Sequence, residues 1–331
     1  MQYRPALGKQ IQTRGAQSGD AAGRVAAVAR PSAAQLPVFV INRDSDFGRR
    51  TLIGYELQKA GLKAIRVRGV DGLALPPHLV NQFYARGRLV SDLTPGEVGC
   101  YASHLLAMQA VVDQGLKHAL ILEDDARLCD GLATAIAEIV ANAPRGWGVI
   151  HLCRDPLYAV KPVVALGGGR ALVRYSRVPA GMVGYLVSQE GARQLTAPRP
   201  RYWPCDTDLR QPWRFGIDIY GVTPSLITHD RNSPSVIGSL GGQSKLRRGL
   251  PRPAWHCWTG NPMHSPAAVL YNIRALGLAS WIQCGLANTS LRLSRALAAR
   301  RRRLLRRAGA SLQPASHEPQ SPVPAPTVAA E

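Results

Sequence analysis

Ala119-Leu-Ile-Leu-Glu-Asp-Asp125 is the stretch whose reading decides the fold. An apolar run too short for a helix and closed by charge reads as a strand buried in a parallel sheet. Side chains alternate along an extended chain, so Glu123 and Asp125 are expected to share one face while Asp124 points to the other. All three arrive at a strand exit, where open α/β sheets place their ligands. Two convergent carboxylates make a hard oxygen site, suited to Mg²⁺ or Mn²⁺. The competing reading is a solvated strand end feeding a turn.

Working outward, the pattern repeats as strand, loop and helix. Upstream, Pro37-Val-Phe-Val-Ile41 is a first strand, Asn42-Arg-Asp-Ser-Asp46 its polar exit loop, and Phe47 to Ala60 a helix closed by Gly61. A second strand from Lys63 to Val67 leads to Gly69-Val-Asp-Gly72, which presents Asp71 at another exit. In Leu93-Thr-Pro-Gly-Glu-Val-Gly-Cys-Tyr-Ala-Ser-His104, Thr94 can cap a helix begun by Pro95, with Glu97 at the capping-box spacing. Cys100, His104, Ala107 and Val111 fall on one face of that helix, so packing alone would account for His104.

Downstream come a helix over Gly131 to Ala141 and a strand over Trp147 to Leu152. A glycine-containing hairpin or loop from Lys161 to Arg177 is expected to lie over the site. A strand over Ala180 to Val187 leads to a helix capped by Ser188, and a last strand covers Ile217 to Val222. Between these last elements, Tyr202-Trp-Pro-Cys-Asp-Thr-Asp-Leu209 sets aromatic rings beside Asp206 and Asp208. Strands alternating with helices imply an α/β sandwich with a mostly parallel central sheet.

At 331 residues and 46% hydrophobic content, the chain can bury a full core. Four regions are expected: an N-terminal arm (1–35), a catalytic domain (36–240), a basic helical extension (241–308) and a disordered tail (309–331). The formal charge of +20 is concentrated late, because residues 231–317 hold 14 Lys and Arg and no Asp or Glu. A helix over residues 290–307, with Leu291, Leu297, Leu304 and Leu305 broadly to one side, has the composition of a segment that adsorbs to an anionic membrane surface. A solvated helix is the alternative. No run reaches membrane-spanning length, and the N-terminus carries charge where a signal peptide would be apolar. The six cysteines are scattered, with no C-x-x-C pair and no metal-type spacing. Reduced thiols in a cytosolic setting are therefore expected.

Six segments together resemble glycosyltransferase family 25: Val40-Ile-Asn-Arg-Asp-Ser-Asp-Phe-Gly-Arg-Arg50, Gly69-Val-Asp-Gly72, Leu93-Thr-Pro-Gly-Glu-Val-Gly-Cys100, Ser103-His104, Ile121-Leu-Glu-Asp-Asp125 and Gly184-Tyr-Leu-Val-Ser188. Their order and approximate spacing match across residues 37–240. The resemblance implies a GT-A-like nucleotide-sugar fold, a Mn²⁺ or Mg²⁺ cofactor and inverting transfer of a sugar, most often galactose from UDP-galactose. It also implies a saccharide or glycolipid acceptor of lipooligosaccharide or lipopolysaccharide type, and work in the cytoplasm or at the inner face of the inner membrane.

On this resemblance Glu123 and Asp125 would hold the metal, with His229 completing its shell. Asn42, Arg49, Asp71, Ser103, His104 and Asp124 would line the nucleotide-sugar, Asp124 at the ribose or the sugar. An inverting reaction needs a base opposite the leaving diphosphate, and Asp206 or Asp208 is the candidate, Asp206 being preferred. Three rival readings are a basic nucleic-acid-binding protein, a metal-dependent hydrolase and a degenerate, inactive transferase-like protein, the last opposed by the intact Glu123, Asp124 and Asp125. No recognised nucleic-acid module is present, so no specific nucleic-acid partner is expected.

Overall fold

In the computed structural model, which describes residues 36–153, 155–229 and 265–307, the apolar run is a strand with Ala119 to Leu122 fully buried. Each of its large aliphatic side chains contributes about 1.5–3 kcal/mol by leaving water. The chain forms, in order, β1 (Val38–Asn42), α1 (Phe47–Lys59), β2 (Ile65–Arg68), α2 (Pro77–Phe83), β3 (Tyr84–Ala85), β4 (Arg88–Leu89), α3 (Pro95–Asp113) and β5 (His118–Glu123). There follow β6 (Ala126–Leu128), α4 (Leu132–Asn142), β7 (Trp147–His151), β8 (Val160–Leu166), β9 (Arg170–Tyr175), β10 (Gly184–Ser188), α5 (Gln189–Thr196) and α6 (Cys205–Leu209). The last elements are β11 (Asp218–Thr223), β12 (Ile227–His229), α7 (Pro266–Leu276) and α8 (Leu278–Arg307).

Eight strands make one sheet in the order β2-β1-β5-β10-β7-β11-β9-β8. Strand β1 pairs parallel with β2 and β5, and β7 with β11. Strand β10 runs antiparallel between β5 and β7, and β9 antiparallel to β11 and β8. The sheet is mixed, which corrects the mostly parallel expectation. The physical reason is burial: β10 is covered on both faces, with Gly184 to Val187 all buried. Such a strand shows a continuous apolar run whichever way it points. The hairpin expected over the site exists as β8 and β9, but it extends the far edge of the sheet.

One face of the sheet packs Val38, Val40, Leu120, Leu122, Ile150 and Leu186 against Ile53 and Leu57 of α1 and Leu132, Ile136 and Ile139 of α4. The other face receives α3 and α5. Helix α3 starts as its sequence dictates: Thr94 Oγ1 accepts from the Glu97 amide and the Glu97 carboxylate accepts from the Thr94 amide. The segment Gly69 to Gly72 lies directly on this first turn. A Cβ on Gly72 would stand 1.9 Å from Pro95 O, and one on Gly99 2.4 Å from Val70 O. Two of the glycine-bearing motifs are thus the two sides of one close backbone contact.

Helices α7 and α8 dock on the hairpin side of the sheet. Asn288 accepts from the Ala159 amide at 2.7 Å and donates to Ser176 Oγ at 3.0 Å, and Lys161 Nζ donates to Leu276 O. Gly277, with a positive φ of 81°, separates these two helices. Along α8, Leu278, Ile282, Leu286, Leu293 and Leu297 are exposed, whereas Leu291, expected beside Leu297, is half-buried. The expected arm over 1–35, the boundary at 240, residues 241–264 of the basic extension and the tail 309–331 lie outside the described residues.

Candidate active site at the strand exits

Strands β1, β5, β7 and β11 run in one direction, so Asn42, Glu123, His151 and Thr223 end them on the same edge of the sheet. At β5 the pleat separates the first two acidic side chains. Glu123 Oε1 lies 3.2 Å from His104 Nε2 on the α3 side, while Asp124 Oδ2 accepts from Asn42 Nδ2 at 2.8 Å. The alternation expected through Asp125 stops there, because β5 ends at Glu123 and the next two residues form a turn. Asp125 instead joins Asp124 on a shared cation: Arg49 Nη1 is 3.1 Å from Asp124 Oδ1 and Nη2 is 2.6 Å from Asp125 Oδ2.

The second oxygen, Asp125 Oδ1, is buried and has no hydrogen-bond partner. Burial, followed by the nearby charge of Glu123, raises the Asp125 carboxyl to about 6, against the opposing pull of Arg49. Burial also raises Asp124, with the Asn42 hydrogen bond opposing. A buried carboxylate oxygen left without a donor is a position that a hard divalent cation would satisfy, but the expected trio of Glu123, Asp125 and His229 is not brought together as a metal-capable group among the described residues, because Glu123 turns to His104 and Asp125 to Arg49. His229 stands opposite Ala126 across the β12–β6 pair, one residue beyond Asp125 in register.

The remaining candidates divide by what already occupies them. Asn42 is 1% exposed; its amide donates to Asp124 and to Asp46 O, and its oxygen accepts from Arg66 Nε. With both donors used, its place is to aim Asp124 rather than to touch a nucleotide. Ser103 Oγ accepts from the Val70 amide and donates to Gly99 O, tying the second strand's exit loop to α3. Asp71 is exposed and closes its own turn on the Leu73 amide. Asp208, 1% exposed, accepts from Tyr101 Oη at 2.8 Å and pairs with Arg214. Those partners face it into the protein. Asp206 is 8% exposed and accepts from Thr207 Oγ1 at 3.3 Å.

Four residues absent from the expected set complete the surroundings. Tyr185 Oη is 3.0 Å from His104 Nδ1. Cys100 Sγ and Cys205 Sγ are 3.7 Å apart, and with His104 they form a group of metal-capable atoms all within 4.8 Å of one another. This corrects the reading that the cysteines have no metal-type spacing: Cys100 and His104 are one turn apart on one helix face, a spacing legible in the sequence, but the third member comes from 105 residues away. Hydrogen bonding from Cys205 and then the neighbouring His104 hold the Cys100 thiol down to about 7. Burial depresses His104, but hydrogen bonds with Cys100 and Glu123 outweigh it and raise the ring to about 10. His151, paired in register with Tyr185, is buried with neither ring nitrogen partnered; burial alone lowers it to about 4 and keeps it neutral.

Residues 35–153 match the family model described as glycosyltransferase family 25 (LPS biosynthesis protein). Among curated proteins, the chain is 27% identical over 173 residues to human procollagen galactosyltransferase 2, covering 49% of this chain and 28% of that protein. It is 33% identical over 152 residues to human inactive glycosyltransferase 25 family member 3, covering 44% of this chain and 24% of the relative. The matched segments span about a third or less of the length of these relatives. Among solved structures, the inositol-1-phosphate CTP transferase from T. maritima aligns with a TM-score of 0.27 at 15% identity, over 58% of this chain and 69% of that one. The family resemblance drawn from the motifs is therefore borne out over residues 35–153.

Proposed function

We propose that this chain, whose residues 35–153 fit glycosyltransferase family 25, is a divalent-cation-dependent glycosyltransferase. It moves a hexose, galactose from UDP-galactose as the leading choice, onto a saccharide of lipooligosaccharide or lipopolysaccharide type. The observation that carries the reading is the unpartnered buried Asp125 Oδ1 beside Asp124 at the exit of β5. A bound Mn²⁺ or Mg²⁺ supplies neutralisation of the diphosphate as it leaves. Asp125 would hold that cation, with Glu123 and His229 drawn in as further ligands. Asn42 and Arg49 fix the direction of Asp124, which takes the ribose or the donor sugar. Asp206 receives the proton of the acceptor hydroxyl during an inverting single displacement.

Thermal denaturation with a panel of UDP-sugars, with and without Mn²⁺, tests the donor. UDP-galactose at 100 times its Kd should stabilise the fold by about 2.7 kcal/mol, and only when Mn²⁺ is present. Absence of any shift across the panel would place the chain with the inactive relatives. Asp206→Asn keeps shape and hydrogen bonding but cannot take a proton. It should lower kcat by roughly 10²–10⁴-fold with donor binding unchanged, as read by steady-state transfer and donor titration. Undiminished transfer would remove Asp206 as the base.

We also propose that α8 rests on an anionic membrane. It carries eight arginines and no acidic residue, with Leu286, Leu293 and Leu297 exposed along it. No helix among the described residues is long and apolar enough to cross a membrane. Each Arg near an anionic surface contributes about 1 kcal/mol. Removing residues 290–331, which leaves the Asn288 dock intact, should abolish co-sedimentation with anionic vesicles and spare transfer to a soluble acceptor. Unchanged sedimentation would remove the membrane reading.

A further inference from the structure

We infer that Cys100, Cys205 and His104 form a binding site for a zinc ion, separate in chemistry from the oxygen site at Asp125. Two sequence-distant elements converge to make it. Cys100 and His104 lie on one face of α3, and Cys205 opens α6, which packs against that face. The two sulfurs stand 3.7 Å apart. Two thiolates each about 2.3 Å from a tetrahedral zinc would be separated by about 3.8 Å, so the pair is already spread to the edge length that such an ion requires. A disulfide would need the sulfurs to close to about 2.0 Å.

The imidazole is held in place before any ion arrives. Tyr185 Oη occupies His104 Nδ1, the arrangement in which the outer nitrogen of a metal-bound histidine is oriented by a neighbour. Nε2 is then the ligand atom; it meets Glu123 Oε1 at 3.2 Å, so an ion there takes the place of that contact and Glu123 turns to border the open position. His104 is fully buried and Cys205 8% exposed, while half-exposed Cys100 is the way in. On binding, the two thiols and Nε2–H give up their protons to solvent and three bonds to zinc form, leaving a fourth position bordered by Glu123. Two sulfurs and a nitrogen select zinc over Mn²⁺ or Mg²⁺, which prefer the oxygens of Asp124 and Asp125. Two metals can therefore be sorted by donor softness within one edge of the sheet.

The test uses the full-length protein without nucleotide-sugar. Zinc content after dialysis and the absorption of the Co²⁺-substituted protein are measured for wild type, Cys100→Ser, Cys205→Ser, Cys129→Ser and Asp125→Ala. Wild type should retain one zinc per chain against excess Mn²⁺, and its cobalt form should show thiolate-to-metal charge transfer. Cys100→Ser and Cys205→Ser should each weaken zinc at least about 100-fold. Cys129→Ser and Asp125→Ala should keep the ion and the band, the latter even with sugar transfer lost. Circular dichroism checks folding, and the half-exposed Cys100 carries the result should Cys205→Ser fail to fold. Wild type without zinc, a cobalt spectrum lacking the thiolate band, retention of zinc in Cys100→Ser, or isolation of a Cys100–Cys205 disulfide would each overturn the site.

Discussion

Asp125→Ala is expected to lower cation-dependent sugar transfer by at least about 100-fold while leaving the protein folded. The substitution removes Oδ1, the buried oxygen that has no protein partner, together with the negative charge that would meet the cation. Electrostatic stabilisation of a leaving group in a water-poor site contributes several kcal/mol to the barrier, which sets the size of the loss. Stability is spared because Arg49 keeps its bond to Asp124 at 3.1 Å and Asp124 keeps Asn42 at 2.8 Å. Donor turnover over a Mn²⁺ titration, with the melting temperature measured in parallel, checks both halves. Near-normal Mn²⁺-dependent turnover would dismiss Asp125 as the cation's anchor.

Arg201→Ala should destabilise the protein by about 3–5 kcal/mol, the range seen when one member of a buried charged network is deleted. Arg201 is 0% exposed, the largest of the fully buried side chains. Its guanidinium donates to Gln82 Oε1 at 2.9 Å, Tyr101 Oη at 2.8 Å, Leu195 O at 2.9 Å and Ala197 O at 3.1 Å. Tyr101 Oη in turn donates a hydrogen bond to Asp208 Oδ2 at 2.8 Å, and Arg214 also grips that carboxylate. Truncation would strand all of these acceptors in a dry interior and leave Asp208 with less positive charge nearby. The network also holds α6 against α3, so Cys205 and Asp206 depend on it for position. A drop in melting temperature on the order of 10 °C is expected. Arg201→Lys should recover only part of it, because an ammonium cannot match the guanidinium fork. A shift under about 2 °C in the alanine variant would show the network to be dispensable.

The readable parts of the site were those written in local sequence. The capping box of Thr94 and Glu97, the Ser188 cap and the acidic triplet closing an apolar run each follow from residues a few positions apart. Long-range pairing was not readable. Nothing near Asn42 states that it saturates on Asp46, Arg66 and Asp124, and nothing near Asp208 states that Tyr101 and Arg214 will claim it. The Cys100–His104 spacing was visible, but without Cys205 it is indistinguishable from a packed helix face.

By itself, the sequence determined that β5 would be a buried strand delivering carboxylates to an edge, because burial and alternation are local consequences of hydrophobicity and backbone geometry. Only the tertiary structure decided the direction of β10, whose two-sided burial hides its polarity. It alone decided that Arg49 draws Asp124 and Asp125 together in the turn and that Cys205 meets Cys100 across 105 residues. Which charges and thiols become neighbours depends on how helices pack on the sheet, and that is a property of the whole chain.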